Sequence, residues 1–416
     1  MNTQLNKAVI FAPFWNQPGH VGNYRVDRFI RWLSAQAFEI VLIRAGSHTQ
    51  SCQKPWGIEV TIKDPLGLYR DPLPVGGEVN KPKPRKFRRL LAYRIFNPEP
   101  SVLWAYYAAR HPMVLARARD ASFVLSSSPP ESAHVGAAKL AKKIHVRLVI
   151  DLRDGWLDEP LRPLLRNSAF QRWREGRLEK KILKQADIIF VTSPIWLKLL
   201  TQRLPFVENK IHLLTNGCPR DELFDLPPPK KRLPHEPIHL VHAGSFTGSR
   251  STQKIAYLLA PLWMGLNTQN PKGVITLLGR LTEEDRKDIE QWQEKFSAKG
   301  WAIELVDALQ RKQMMDFLVQ VDGLLLLSAS QAAIPSKLYE YLLLQKPIFT
   351  STPQASAMWE IGSSLEQIFL VDYRQPHKEA TESFLAACIT DKNKYAIPSQ
   401  FSEETLSNIF ITSVLS

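Results

Sequence analysis

The chain has 416 residues, more than one ordinary hydrophobic core requires, so two domains are expected. Hydrophobic residues make up 44% of it and aromatic residues 10%, which excludes a disordered protein. The net charge is +14, and it is concentrated in one half: residues 1–224 contain 35 Lys and Arg against 19 Asp and Glu, whereas the remainder contains 19 against 21. Such a field favours phosphate-rich partners, either nucleic acid or an anionic membrane leaflet.

The cysteines and the N-terminal residues indicate the cellular compartment in which the protein is expected, the cytoplasm. The three cysteines are widely spaced and form no C-x-x-C pair, which argues against a disulfide framework or a zinc site and is typical of a reducing cytoplasm. The N-terminus enters an apolar strand at Ala8 without the features of a signal peptide, and no apolar run approaches about 20 residues. We therefore expect a cytoplasmic protein without a membrane-spanning helix.

Apolar runs alternate with amphipathic stretches through the first half, the pattern of a doubly wound parallel sheet. A helix is predicted at 24–36, where Val26, Phe29, Ile30 and Leu33 recur at helical spacing, and a longer helical stretch rich in Arg and aromatics at 87–119. The strands predicted for this half are Ala8–Pro13, Glu39–Arg44, Phe123–Ser127, Arg147–Asp151, Ile188–Thr192 and Lys210–Leu214.

A Pro- and charge-rich segment, 225–237, contains no core-forming run and is predicted to be the linker between the domains. The strand–turn–helix scheme then repeats. The strands predicted for the second half are Ile238–Ala243, Val274–Leu278, Ala302–Val306, Gly323–Ser328 and Ile348–Thr350. The sequence thus predicts an α/β protein with two Rossmann-like, doubly wound domains, 1–224 and 238–400, facing a central cleft, and a terminal helix within 401–416.

The most informative motif is Pro335-Ser-Lys-Leu-Tyr-Glu340, which follows the buried strand at 323–328. Ser336 is a plausible N-cap, and the helix N-terminus and the ammonium of Lys337 together suit an anion. Glu340 lies one turn further along the same face, within reach of a hydroxyl next to that anion. A diphosphate with an attached ribose fits this description, and an ordinary surface pair of Lys337 and Glu340 fits the spacing equally well.

This motif, followed by Lys346-Pro-Ile-Phe349, resembles the signature of bacterial group-1, family-4-like glycosyltransferases of the GT-B fold. Six further segments resemble the same family in the same order: Pro13–Arg31, Ser126–His134, Asp151–Trp156, Ala186–Ser193, Thr215–Gly217 and His242–Ser245. The resemblance implies that Glu340 binds the ribose of a nucleotide sugar and that Ser336 and Lys337 lie against its diphosphate. It also implies that the last helix crosses back to the N-terminal domain.

Two turns of the second half are further candidates for donor binding. Gly244-Ser-Phe-Thr-Gly248 directly follows a strand, and its glycines would let the backbone approach a phosphate while Ser245 and Thr247 donate hydroxyls. The cation that neutralises the diphosphate is open between Lys337 and Arg250. By resemblance, Gly279 and Arg280, together with the loop that ends at Leu309, flank the base; these are the remaining donor-binding candidates.

The first half contains the candidates for acceptor binding and catalysis. Gly19, Gly22 and Arg25 belong to the loop after the first strand, which lies over the cleft in the resembling fold, and His20 stands between the two glycines. Asp151-Leu-Arg-Asp154 ends a predicted strand, where open α/β sheets bind ligands. We expect Asp151 to pair with Arg153, and Asp154 to take the proton of an acceptor hydroxyl, with Arg153 orienting it; His20 is the alternative base. An Arg–Asp pair that merely holds the loop is equally compatible with the motif.

The chain departs from the family pattern at two places. The histidine that many relatives have after the strand at 123–127 is displaced, since His134 lies inside the following helix, and Glu131 remains as the acceptor-side candidate of that segment. Ala332 stands where the family has a glutamate that contacts the donor sugar, so the donor sugar and the stereochemical course are open. We expect no cofactor or bound metal, because GT-B enzymes usually need none and no Asp-x-Asp motif is present.

The basic stretch Lys81–Arg94 intersperses seven cations with Phe87, Leu90, Leu91 and Tyr93, and Trp104, Tyr106 and Tyr107 follow it. This pattern suits a helix in the headgroup layer of an anionic membrane, and core aromatics beside a solvated charged face are the rival interpretation.

The function expected is transfer of a sugar from a nucleotide-sugar donor to a lipid-linked or growing glycan acceptor in cell-surface polysaccharide biosynthesis, at the inner face of the membrane. A non-hydrolysing UDP-sugar 2-epimerase of the same fold, or a nucleic-acid-binding protein, is the alternative. A nucleic-acid partner is not expected, because the basic residues form no recognised binding module.

Overall fold

The computed structural model of the protein describes residues 6–16, 22–67, 95–158, 168–219, 226–230, 233, 235–244, 246, 255–266, 271–376, 378–390 and 395–416. The chain divides into two compact units, the first made of Met1–Leu214 with Ser407–Ser416 and the second of Thr215–Leu406. Each unit has one largely parallel sheet with helices between its strands, so the predicted α/β class with two Rossmann-like domains is confirmed.

In the first unit the described strands form an eight-stranded sheet in the order β3-β4-β2-β1-β5-β6-β7-β8. All neighbours pair in parallel except β3, which is antiparallel to β4 at the edge. Its strands are β1 (Lys7–Phe11), β2 (Glu39–Gly46), β3 (Gln50–Lys54), β4 (Gly57–Lys63), β5 (Phe123–Ser128), β6 (Arg147–Leu152), β7 (Ile188–Val191) and β8 (Ile211–Leu213). The hairpin β3–β4 was not predicted, because β3 is polar and exposed and therefore has no apolar run to mark it.

The helices of the first unit alternate along the chain with most of these strands. They are α1 (Asn23–Ala35), α2 (Val102–Ala108), α3 (Pro112–Ala118), α4 (Ser132–Ile144), α5 (Ala169–Gln185) and α6 (Pro194–Arg203), with a 3₁₀ helix at Pro205–Lys210. The helical stretch predicted at 87–119 is interrupted in its described part, because Pro112 begins a new helix that His111 caps. Lys81–Arg94 lies outside the described residues.

Trp104 belongs to the core of the first unit. Its side chain is fully buried, and its indole N–H donates to the carbonyl oxygen of Ile62 at 3.0 Å. A membrane contact by this residue is therefore excluded, and for Trp104 the rival interpretation, a core aromatic, is correct. Tyr107, one turn along the same helix, is half exposed.

The second unit has a six-stranded sheet of described strands, in the order β11-β10-β9-β12-β13-β14, with every neighbouring pair parallel. The strands are β9 (Ile238–Ala243), β10 (Gly273–Leu278), β11 (Trp301–Val306), β12 (Gly323–Leu327), β13 (Ile348–Ser351) and β14 (Ile368–Val371). The helices are α7 (Ala256–Gly265), α8 (Glu283–Ser297), α9 (Arg311–Val319), α10 (Lys337–Leu343), α11 (Ala357–Gly362) and α12 (Lys378–Ile389), with a 3₁₀ helix at Ser399–Phe401. A last helix, α13 (Glu403–Leu415), begins in this unit.

The units are divided at Leu214, ten residues before the boundary expected from the sequence at 224. The reason is visible at Cys218, whose side chain is buried in the hydrophobic core of the second unit and whose amide donates to the carbonyl oxygen of Phe401 at 3.0 Å. The segment after β8 is thus already part of the second unit.

Helix α13 ends in the first unit, as Ser407–Ser416 belongs to it. Phe410 is fully buried, and its ring lies 4.8 Å from the ring of Phe29 and 5.5 Å from that of Phe190, measured between centroids. Burial of such an aromatic cluster contributes on the order of several kcal/mol. Within the described residues, no helix has the length and apolar character needed to cross a bilayer.

Candidate functional site

Two glycines meet where β9 and β10 end in the second unit. Gly244 has φ of +145° and Gly279 has φ of +155°, a backbone conformation that side chains rarely permit. A Cβ on Gly279 would lie 2.5 Å from the carbonyl oxygen of Gly244. Both positions therefore require glycine, and together they leave bare backbone at the carboxyl edge of the sheet, where ligands of open α/β sheets bind.

The ammonium of Lys337 lies directly on Gly244. The place where a Cβ of Gly244 would stand is occupied by Nζ of Lys337. Within the described part of the chain, this ammonium makes no hydrogen bond or ion pair, and burial lowers the pKa of Lys337 to about 8, an effect that Glu340 opposes. A desolvated cation without an acceptor is an unfavourable arrangement that a bound anion would relieve.

Tyr341 holds helix α10, which carries Lys337, against the end of strand β9. Its side chain is fully buried, and its hydroxyl oxygen accepts the amide N–H of Ala243 at 2.9 Å. Because Tyr341 lies one helical turn after Lys337, this bond joins helix α10 to the end of β9. Tyr341 was not identified from the sequence, although its spacing of four residues from Lys337 was a signal that could have identified it.

His242 keeps the neighbourhood of Lys337 free of a second positive charge. Its ring stacks on buried Phe246 with centroids 4.4 Å apart, and Nδ1 donates to the carbonyl oxygen of Leu325 at 2.9 Å. Burial and the nearby Lys337 lower the pKa of His242 to about 3, so the ring is neutral at physiological pH.

Glu340 forms an ion pair with Arg311, the first residue of α9, with Nη1 and Oε1 3.0 Å apart. The carboxylate side chain is 14% exposed and the guanidinium 30%, so the pair lies at the surface of the site and not in the core. Arg311 was not identified from the sequence. Its position after the β11 loop, beside the segment predicted to flank a base, is the only signal that pointed to it.

The remaining donor-side candidates differ in position. Ser336 does not cap α10 through its side chain, which corrects the prediction: its backbone is already helical, and its exposed side chain makes no capping hydrogen bond. Arg280 is exposed, and Leu309 is 37% exposed. Ser245, Thr247 and Arg250 lie outside the described residues.

In the first unit, Arg153 is held at the carboxyl end of β6 by backbone carbonyls. Its Nε donates to Ser128 O and its Nη2 to Pro129 O, each at 2.7 Å. The guanidinium fills the space that a side chain on Gly22 would need, so Gly22 is required for this packing. Asp154, half-buried, follows Arg153 and is one of the carboxylates that oppose the lowering of the Arg153 pKa by burial.

The predicted pairing of Asp151 with Arg153 is wrong. Asp151 is fully buried and accepts from Nε and Nη2 of Arg25, the latter at 2.7 Å, and from the hydroxyl of Ser127 at 2.7 Å. Arg25 is itself 5% exposed and also donates to the carbonyl oxygen of Leu214. Arg25 therefore joins α1 to the ends of β6 and β8, and the geometry does not support its predicted contact with an acceptor.

The other acceptor-side candidates lie in or near the same region. Glu131 is 5% exposed at the start of α4. His134 is fully buried, and its Nδ1 lies 2.8 Å from the hydroxyl of Ser126, so it belongs to the core. Gly19 and His20 lie outside the described residues. Among the residues that are described, no three His, Cys, Asp or Glu side chains are grouped as metal ligands would be.

Comparison with known proteins finds a family match for part of the chain. Residues 22–217 match the family described as glycosyl transferase 4-like domain. No curated protein matches the chain in sequence.

Solved structures match over nearly the whole length. A lipopolysaccharide outer core galactosyltransferase, WaaB, in its apo form has a TM-score of 0.54 at 13% identity, with 99% of each chain covered. Anabaena Alr3699/HepE in complex with UDP and glucose has 0.55 at 12% identity, covering 99% of this chain and 100% of that one. An α,α-trehalose-phosphate synthase (UDP-forming) from Burkholderia vietnamiensis has 0.63 at 10% identity, covering 99% and 97%. Residues 22–217 are thus similar to a glycosyl transferase 4-like domain, and the chain has the GT-B fold of these solved glycosyltransferases.

Proposed function

We propose that the protein transfers a sugar from a UDP-sugar to a lipid-linked or growing glycan acceptor in cell-surface polysaccharide biosynthesis. The observation that supports this most strongly is the desolvated ammonium of Lys337 lying on the bare backbone of Gly244. A diphosphate placed there would gain a full charge partner and a close backbone approach. The choice of UDP draws on the structural neighbours, one of which was solved with UDP and glucose and another of which is UDP-forming.

In this proposal the second unit binds the donor. Lys337 neutralises the diphosphate, with Ser336 at its side, and the carboxylate of Glu340 accepts hydrogen bonds from the ribose hydroxyls. Arg280 and Leu309, both exposed, flank the base. Because Glu340 is paired with Arg311 in the unliganded protein, ribose binding either shares the carboxylate or replaces this ion pair.

The first unit binds the acceptor. The acceptor hydroxyl attacks the anomeric carbon and gives its proton to Asp154, while the bond between that carbon and the diphosphate breaks and UDP leaves with its new charge beside Lys337. Arg153 is fixed by two carbonyls and is therefore able to orient Asp154. His20 is the alternative base, and Gly19, Gly22 and Glu131 complete the acceptor side. The reaction needs no resident cofactor or metal in this proposal, because Lys337 supplies the positive charge that the leaving group requires.

Product analysis tests the proposal. The full-length protein is mixed with UDP-sugars and a membrane extract that contains lipid-linked acceptors, and the nucleotide and sugar products are separated. Transfer releases UDP and moves label from the donor sugar into the lipid fraction. Appearance of an isomerised UDP-sugar without UDP release would indicate the 2-epimerase instead, and tight binding of nucleic acid without turnover would contradict both enzymes.

A further inference from the structure

Helix α5 exposes one continuous stripe of aromatic and cationic side chains. Phe170 and Trp173, in its first turns, are 62% and 55% exposed, far more than is usual for large aromatic residues in a folded protein. Arg177, Lys181 and Lys184 continue the stripe at helical spacing and are also exposed. The opposite face of the helix is buried through Glu175, Glu179, Ile182 and Leu183.

The cationic end of this stripe forms one wall of a surface groove of about 1060 Å³. The facing wall is the C-terminal end of helix α4 and the residues after it, including Val146 and Leu148. Five Lys or Arg side chains and one histidine line the groove: Lys142, His145, Arg177, Lys180, Lys181 and Lys184. The groove, defined by these six residues and Trp173, lies in the first unit, which contains the excess positive charge of the chain.

The lining of the groove contains one acid against these six residues. The one carboxylate in the lining, Asp187, accepts the amide N–H of Leu148 at 2.7 Å. In the part of the chain that the structure describes, none of the five Lys and Arg side chains is ion-paired. Like charges collected in a concave surface repel one another and concentrate the positive field, so the groove is built to attract phosphate groups.

We propose that this groove and the exposed aromatic pair form the surface by which the protein sits on an anionic phospholipid bilayer. Headgroup phosphates enter the groove, while Phe170 and Trp173 lie in the interfacial layer, where aromatic side chains are favoured. The inference deepens the proposed function, on which it rests, because a lipid-linked acceptor is presented at such a surface. It assigns the membrane contact to α5 and not to the stretch Lys81–Arg94, which the sequence suggested.

The surroundings of Trp173 favour a bilayer over a soluble phosphorylated ligand. Its ring is already stacked on Phe170 with centroids 5.8 Å apart, and the guanidinium of Arg177 lies 5.0 Å from its centroid. Arg174 in turn lies 5.8 Å from the centroid of Phe170. With these contacts made, Trp173 has less open ring surface for stacking a base or a sugar, whereas both side chains remain more than half exposed. Aromatic residues flanked by cations are typical of surfaces that lie in the headgroup layer.

Vesicle flotation of the full-length protein tests the proposal. Vesicles contain either phosphatidylcholine alone or equal parts of phosphatidylcholine and phosphatidylglycerol, at low ionic strength. We expect binding only to the anionic vesicles, and we expect it to decrease with added salt. The triple variant Arg177→Glu, Lys181→Glu and Lys184→Glu should lower the partition coefficient by about a hundredfold, since each cation near a leaflet contributes roughly a factor of five.

In a matched control variant, three exposed lysines of the second unit, Lys272, Lys287 and Lys295, are changed to glutamate. This variant has the same change in net charge and should lose far less vesicle binding. Phe170→Ala with Trp173→Ala should weaken binding while its salt dependence persists. UDP titrations of all variants distinguish failure of the membrane-surface proposal from failure of the proposed function. If the α5 triple variant binds vesicles as the wild type does and still binds UDP, the membrane-surface proposal is wrong and the donor-site proposal is unaffected. The membrane-surface proposal is also wrong if vesicle binding is lost only when Arg85, Lys86, Arg88 and Arg89 are changed to glutamate. Binding of soluble polyphosphate or RNA without flotation on vesicles would contradict it as well.

Discussion

The ammonium of Lys337 occupies the position where a side chain of Gly244 would begin, so the two residues are matched: one supplies a charge and the other the space for it. The hydrogen bond from the amide of Ala243 to Tyr341 holds this pair in register. Since burial lowers the pKa of Lys337 to about 8, the site is energetically incomplete until an anion binds.

The first prediction concerns Lys337→Met. Loss of a charged hydrogen bond to the diphosphate should weaken UDP binding by about 1.5–3 kcal/mol in calorimetry. The free energy of unfolding of the unliganded protein should stay the same or rise, because the substitution removes a desolvated charge. A variant that binds UDP normally would exclude Lys337 as the diphosphate partner and leave Arg250 as the candidate.

The second prediction is a pH dependence of the same interaction. A bound diphosphate stabilises the ammonium and raises the pKa of Lys337 above its unliganded value of about 8. UDP binding should therefore take up protons near that pH and weaken as the pH rises further, which calorimetry in buffers of different ionisation enthalpy measures. In the unliganded protein the folded pKa lies below the ordinary value of 10.5, so the contribution of this group to stability should increase with pH between the two. Lys337→Met should lack both effects.

The third prediction tests Gly244→Ala. The added Cβ needs the space of Nζ of Lys337 and strains a backbone at φ of +145°, so UDP binding should fall at least as far as in Lys337→Met. Gly300→Ala is the control, since it too has a positive φ, of +77°, but its Cβ would meet only Lys272 Cγ at 3.5 Å. The control should lose stability, by about 1 kcal/mol, while UDP affinity is unchanged.

The fourth prediction concerns Glu340→Ala, which should weaken UDP binding by about 1.5–3 kcal/mol and leave the fold intact. If the carboxylate binds ribose hydroxyls, the wild type and the variant should bind UDP that lacks both ribose hydroxyls with equal affinity. Glu290→Ala, at an exposed position of α8, is the matched control. An equal loss with the hydroxyl-free nucleotide would mean that Glu340 acts through Arg311 and not on the ribose.

The fifth prediction separates catalysis from structure in the first unit. Asp154→Asn should lower turnover by roughly 10²–10⁴-fold with little change in UDP affinity, as expected for loss of a general base. Arg25→Met should instead destabilise the protein by about 3–5 kcal/mol in urea, because it leaves buried Asp151 without its partner. Arg31→Met, exposed on the same helix, should cost about 0.5 kcal/mol or less. Normal turnover by Asp154→Asn together with an inactive His20→Ala would identify His20 as the base.

Sequence patterns were most informative where burial alone determines structure. The parallel strand β12 is a continuous apolar run, and β9, which is apolar apart from His239 and His242, begins and ends where predicted. Strand β3 was not predicted, because it is stabilised by pairing with β4 and not by burial of its own side chains.

Partner choice among charged residues was harder to predict than their presence at the site. Asp151 and Arg153 were expected to share a strand face, yet Asp151 is bound by Arg25, which reaches it from α1 and donates through both Nε and Nη2. Nothing in local spacing encodes such a contact between distant segments. The same limit applies to Arg311, which follows β11 but forms its ion pair with Glu340, 29 residues further along the chain in α10.

We propose above all that the second unit binds a UDP-sugar through Lys337 and Gly244. The most direct measurement is calorimetric titration of the full-length protein with UDP and with a panel of UDP-, GDP- and ADP-sugars, repeated on Lys337→Met. The proposal predicts saturable binding of UDP and of at least one UDP-sugar, with both weakened at least tenfold in the variant, as loss of about 1.5 kcal/mol requires. Absence of binding to every nucleotide, or equal binding by the wild type and Lys337→Met, would contradict it.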